Sequence, residues 1–293
     1  MSKATRNRAR NAREQIAAQQ AAARKAEQRR RLLIVGGSVG LVLVIVVALL
    51  VVKGLSKPAK TGPSGQLPAA VTRNITRVPA TTLTKVGSGA FPSPVGQTIK
   101  PITDTALTSA NKPQMLYIGA EFCPYCAAMR WSMAVALSRF GTLGPLTGIH
   151  SAPAPEVFPN TATLTFRAQK YSSPYLTFTA IEHQKVNHRT LQPVSKAQEA
   201  LWVKYGSTSQ GPGYPFIDFG NKAVITGPLF TPQVLQGLTW AQVASKLKNP
   251  NDPVAQAVDG AANYITAAIC KMTGNKPGSV CTAAPIKTIE AKL

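Results

Sequence analysis

Apolar and polar positions divide the 293-residue chain into distinct regimes. Residues 1–31 are rich in Ala, Gln and Arg and carry no apolar stripe, so a helix there would have no face to bury. Leu32–Val52 is a run of 21 residues without a charge, long enough to cross a bilayer as a helix. Residues 53–66 contain Pro58, Gly62, Pro63 and Gly65 and read as a linker. From residue 67 to 293, short apolar runs alternate with Gly, Pro and Thr punctuation, the pattern of one folded α/β domain.

Within that domain, Pro79–Val86 reads as a short helix and Thr98–Ile102 as a short strand. Met115–Ala120 has strand character. It is followed by a helix over Cys126–Phe140, with Met129, Met133, Leu137 and Phe140 on one face and Gly141 as a stop. Leu146–Ser151 reads as a second, parallel strand. Thr163–Phe166 and Tyr175–Ile181 make residues 152–195 a β-rich insertion. That insertion either covers one side of a site and selects partners, or merely extends the sheet. Ser195 caps a helix over Lys196–Tyr205. Phe216–Phe219 and Ala223–Thr226 flank Gly220-Asn221 as a hairpin. Thr231-Pro232 opens helical segments reaching Lys248, broken near Gly237 and recapped by Thr239. Asp252-Pro253 opens a helix to about Thr273.

Charge fixes the expected topology. The net charge is +22, and residues 1–31 supply ten Lys or Arg against Glu14 and Glu27, a local +8. Only Lys53, Lys57 and Lys60 follow the apolar span closely, so the positive-inside rule puts residues 1–31 in the cytosol and everything after Val52 outside. The span exceeds a signal-peptide core and no A-x-A-like site follows it, which makes it an uncleaved anchor. The excess of basic residues fits a surface beside anionic lipid or cell wall. No zinc-finger, recognition-helix or aromatic RNA-binding pattern accompanies it, which argues against nucleic acid as partner.

An extracytosolic domain lets disulfides persist. The four cysteines fall into two neighbouring pairs, Cys123/Cys126 and Cys270/Cys281, and each pairing closes a short local loop. Cys123-Pro124-Tyr125-Cys126 sits where a strand turns into a helix. Free N–H groups and the macrodipole at a helix start favour a thiolate, so Cys123 is the expected nucleophile and Cys126 the resolving thiol. Two plainer readings stand beside this one. A structural zinc site needs two more ligands, but Cys270 and Cys281 lack knuckle spacing. A purely structural Cys123–Cys126 bridge would close a small, strained ring. Cys270–Cys281 reads as a structural disulfide tying down the end of the last long helix.

The strand, Phe122-Cys123-Pro124-Tyr125-Cys126 and the following helix resemble the thioredoxin superfamily, and Pro124-Tyr125 is similar to the dipeptide of glutaredoxins. More narrowly, Tyr117 to Trp131 resembles a prokaryotic thioredoxin-like family, domain-of-unknown-function family 929. This resemblance extends through Tyr214–Asn221 and Ala261–Cys281 and covers most of residues 67–285. It implies a thioredoxin-like fold with a β-rich insertion and extra C-terminal helices, preceded by one transmembrane helix. It also implies a cis bond at Tyr214-Pro215, with Tyr214, Pro215, Phe122, Pro124 and Tyr125 shaping a substrate groove beside the cysteines.

The expected activity is thiol–disulfide exchange on envelope or secreted proteins. No metal or organic cofactor is required, because the dithiol is the redox centre. Expected partners are protein thiols or disulfides outside the cytosol, the lipid bilayer, and a membrane redox partner, either a quinone-linked oxidase or an electron carrier. The rival expectation is a redox-inert binding module or envelope adaptor. Two polar positions carry two readings each. Asp218 is a solvated strand residue or a buried acid that relays protons. His150 assists proton transfer or is structural. His183 and His188 fall in a polar loop and form no metal triad with it.

Overall fold

The computed structural model describes residues 64–90, 99–209 and 211–293. The basic arm, the apolar span Leu32–Val52 and the linker up to residue 63 lie outside the described residues. Within them the chain runs β1 (Gly65–Gln66), α1 (Ala69–Thr76), α2 (Ala80–Val86), β2 (Lys100–Pro101), β3 (Thr108–Ser109), β4 (Lys112–Gly119), α3 (Pro124–Leu137), β5 (Thr147–His150), β6 (Ala162–Thr165), β7 (Thr177–Glu182) and α4 (Lys196–Gly206). It continues through β8 (Phe216–Phe219), β9 (Ala223–Thr226), α5 (Trp240–Lys246), α6 (Pro253–Thr273), α7 (Gly278–Cys281) and α8 (Ala284–Glu290). Two-residue ribbons at Thr142–Leu143/Tyr171–Ser172 and Ser207–Thr208/Gly211–Pro212 trim the edges. Among the described residues no helix is long and apolar enough to cross a membrane.

The architecture is mixed α/β, built on a mixed sheet centred on β4. β7 pairs with β4 in parallel, Met115 opposite Phe178 and Gly119 opposite Glu182. β8 pairs with it antiparallel, Ile118 opposite Phe216, and β9 returns from β8 as a hairpin. β4 is apolar without a break over Met115–Ile118 because both its faces are covered. The period-2 alternation sends Met115 and Tyr117 into the large core with Met129, Met133, Ile217 and Phe219. Leu116 and Ile118 go to the opposite face with Trp202, Phe216 and Val224.

Helix α3 differs from the amphipathic helix expected over Cys126–Phe140. It starts two residues earlier, at Pro124 with Cys123 as N-cap, and thirteen of its residues are buried, Arg130 and Ser132 included. The reason is that neighbours close over its polar side. Ser132 Oγ donates to the Val258 carbonyl of α6 at 2.8 Å, Trp131 Nε1 to the Ala162 carbonyl at 3.0 Å, and Thr163 Oγ1 to the Ala127 carbonyl at 2.7 Å.

The expected second parallel strand is also corrected. β5 lies in a separate antiparallel sheet, between β1 and β6, with His150 opposite Ala162. No crossover helix separates β5 from β6, so the chain returns as an antiparallel pair. The parallel partner of β4 is β7, from the segment read as an insertion, which therefore extends the main sheet. The linker ends earlier than residue 66, since Gly65 and Gln66 pair with Gly148 and Thr147. Helix α1 had no strong apolar pattern to announce it, yet Val71 and Ile75 are buried. The expected caps are present: capping boxes at Ser195 and Thr239, and Asp252 opening α6. Cys270 and Cys281 are bonded, with Cα atoms 5.6 Å apart.

Candidate active site

Cys123 ends the turn that follows β4. Its backbone N–H donates to the Ala120 carbonyl at 3.2 Å, and its extended backbone makes it the N-cap of α3. Its Sγ accepts the backbone N–H of Cys126 at 3.2 Å. A capping sulfur therefore stands where the first turn of the helix presents unpaired donors. Both cysteines are free thiols and both are buried, Cys123 at 5% exposure and Cys126 at 0%. Burial alone would raise the pKa of Cys123. Hydrogen bonds from the Cys126 thiol and backbone, with the nearby Arg130 charge, outweigh it and bring the thiol below its ordinary value. Burial, reinforced by the hydrogen bond with Cys123, pushes Cys126 well above its own. The two thiols are thus split into one inclined to ionise and one inclined to keep its proton.

Aromatic side chains frame the pair. Phe122, Tyr125 and Tyr214 pack against Ala120, Cys123 and Cys126. Phe122 meets the edge of Tyr214 at 6.1 Å and lies over His188 at 4.0 Å between ring centroids. Tyr125 meets Phe158 edge-on at 6.0 Å. The Tyr214-Pro215 bond is cis, and Pro215 leads directly into β8. Tyr214 stacks 5.1 Å from Trp202, whose indole N–H donates to the Gly213 carbonyl, and its hydroxyl donates to Gln184 Oε1 at 3.3 Å. All seven sequence-derived site residues other than the structural disulfide thus meet at the start of α3 and the approach to β8; Pro124 is buried in the first turn. The Cys270–Cys281 bridge belongs to α6 and α7.

The segment offered as covering one side of a site supplies a wall beside the cysteines, though sequence did not single out the residues that form it. Residues 183–191 fold back on themselves through Leu191 N–H to the His183 carbonyl and Lys185 N–H to the Arg189 carbonyl. This segment reaches the cysteines through the Glu121 N–H to Gln184 carbonyl bond and through His188 on Phe122. No local pattern marks it, because its position comes from the parallel register of β7 against β4. Between it and Pro153 lies a cavity of about 550 Å³ lined by Glu121, Arg167, Lys185, Val186 and Asn187. A cavity of about 590 Å³ at the opposite end of α3, beside Arg73 and Arg77, holds no cysteine. His150 stacks on Trp240 at 4.5 Å, and burial lowers its pKa. Of the two readings of Asp218, solvated strand residue or buried acid, the structure gives the buried one: it has no exposure. Its Oδ1 accepts the Asn221 N–H at 2.6 Å and so shapes the β8–β9 turn. Among the described residues no group of three or more His, Cys, Asp or Glu could hold a metal ion.

The sequence profile of the family described as Domain of unknown function (DUF929) matches residues 99–271, more than half of the chain. The chain belongs to this family. The DUF929 match runs from β2 to the end of α6 and is narrower than the 67–285 expected. It takes in Cys123, Cys126, Tyr214, Pro215 and Cys270, and omits α1, α2 and Cys281. No curated protein and no solved structure gave a significant match to this DUF929 chain.

Proposed function

We propose that this DUF929 protein is a thiol–disulfide oxidoreductase with a thioredoxin-like fold, anchored by Leu32–Val52 and acting on protein thiols or disulfides outside the cytosol. The observation that carries the reading is the N-cap position of Cys123, where a backbone donor, the Cys126 thiol and a buried cation act together on one sulfur. The strand–turn–helix setting of the dithiol and the cis Tyr214-Pro215 bond beside it support the thioredoxin-like assignment.

In the reductive direction the Cys123 thiolate attacks one sulfur of a substrate disulfide. A Cys123–substrate S–S bond forms, the substrate bond breaks, and the other substrate sulfur leaves as a thiolate that takes up a proton. Cys126 then loses its proton and attacks Cys123 Sγ. The Cys123–Cys126 disulfide forms and the second substrate thiol departs. The substrate gains two electrons and the dithiol loses them; oxidation of a substrate is the same sequence reversed. A membrane redox partner, a quinone-linked oxidase or an electron carrier, resets the pair.

A Cys126→Ser variant of the full chain tests this. It should accumulate mixed disulfides with envelope proteins, visible on non-reducing gels and lost on reduction, while Cys123→Ser accumulates none. The low exposure of Cys123 favours a second reading, a redox-inert binding module, and that reading predicts no adducts in either variant.

A further inference from the structure

Beneath the dithiol lies a charge that exchange chemistry alone does not require. Arg130 is one turn beyond Cys126 on α3, and its side chain is fully buried. Nε and Nη2 form a two-pronged pair with Glu182 at 2.9 and 2.6 Å, and Nη2 also donates to the Ala120 carbonyl at 2.7 Å. That same carbonyl accepts the Cys123 N–H. Nη1 has no partner. Glu182, at the end of β7, is held by the Phe166 N–H at 3.0 Å and is likewise fully buried.

Burying two charges is expensive, and apolar residues of similar volume often serve stability as well. The pair also has a direction. Its cationic end faces the turn that carries Cys123, and Arg130 acts on both thiols, whereas Glu182 is not among the main influences on either. Among the described residues the other groups facing this space are Tyr117, whose buried hydroxyl has no partner there, and Tyr214 from the approach to β8. Neither is a cation.

We propose that Arg130 is a positioning residue that stabilises the Cys123 thiolate, and that Glu182 is its counterweight, so that the pair sets the redox poise of the dithiol. Its purpose rests on the oxidoreductase reading, but its effect on Cys123 is measurable without it. The pair differs from a structural ion pair in one respect. Removing either partner of a structural pair disturbs the site in the same direction, whereas here the two removals have opposite signs. Loss of Arg130 removes the favourable charge. Loss of the Glu182 charge leaves the guanidinium uncompensated and strengthens it.

The test uses the full chain carrying Arg130→Met, Arg130→Lys or Glu182→Gln. The rate of Cys123 alkylation by iodoacetamide is followed against pH by peptide mass, and the dithiol is equilibrated in glutathione redox buffers. Arg130→Met should raise the Cys123 pKa by about one unit and favour the Cys123–Cys126 disulfide about tenfold. Glu182→Gln should shift both about as far the other way, and Arg130→Lys should stay within about threefold of the parent. Shifts of the same sign in Arg130→Met and Glu182→Gln, or shifts below about twofold in both, overturn the proposal. Should Arg130→Met fail to fold, Glu182→Gln decides: a raised or unchanged Cys123 pKa overturns the proposal. Failure of the oxidoreductase reading is separate. It shows as a dithiol that never equilibrates with the buffer while the alkylation profile still reports the charge.

Discussion

Asp259 lies within α6 with no exposure, and among the described residues neither of its carboxyl oxygens has a hydrogen-bond partner. Burial pushes its pKa from an ordinary 3.8 up to about 8. Between those two values the folded chain holds a proton that the unfolded chain has released. Stability therefore falls as pH rises, by about 1.4 kcal/mol per pH unit. Below about pH 4 both states are protonated and no penalty exists, and above about pH 8 it is complete. At pH 7 the accumulated cost is on the order of 4 kcal/mol, a large share of the stability of a typical domain. Asp259→Asn keeps the shape and cannot ionise. Urea unfolding of the full-length parent and Asp259→Asn at pH 5, 6 and 7 measures the difference. The variant should gain about 3 kcal/mol on the parent between pH 5 and 7. Asp218, pushed up to about 6 by burial, titrates in both proteins and cancels in the comparison. Parallel curves, differing by a constant within about 0.5 kcal/mol, would refute the reasoning and require a hidden partner for the carboxylate.

Three further outcomes follow from packing around the site and from the cross-link. Replacing Cys270 and Cys281 by Ser opens a link across 11 positions and should cost about 3 kcal/mol in urea, with Cys123 alkylation unchanged; a changed alkylation rate would join the two cysteine pairs functionally. Tyr117→Phe removes a buried, unpaired hydroxyl and should be neutral or stabilise by up to about 1 kcal/mol. Gly119→Ala would set a Cβ 2.0 Å from that hydroxyl and should destabilise by about 1–3 kcal/mol. A marked loss of stability in Tyr117→Phe would instead assign the hydroxyl a partner.

The amino-acid sequence by itself determined the local elements and the chemistry they carry. The uninterrupted apolar run of β4, the proline and cysteines at the start of α3, the caps at Ser195, Thr239 and Asp252, and the hairpin at Gly220-Asn221 are each specified by neighbours within a few residues. So is the nearness of Cys270 to Cys281, because a short loop leaves few alternatives. What sequence could not supply was anything set by pairing at a distance. Whether Thr147–His150 or Thr177–Glu182 lies parallel to β4 depends on which connection crosses over, and both runs look alike as strings. Arg130 and Ser132 lie off the apolar face expected for that helix, and only the approach of β7 to Arg130 and of α6 to Ser132 buries them. Glu182 and His188 carry no motif, yet the register of β7 sets one against Arg130 and folds the other over Phe122. Short-range preferences act through the backbone and are written residue by residue. The charge under the dithiol and the wall beside it arise where strands distant in sequence meet, so tertiary packing alone decided them.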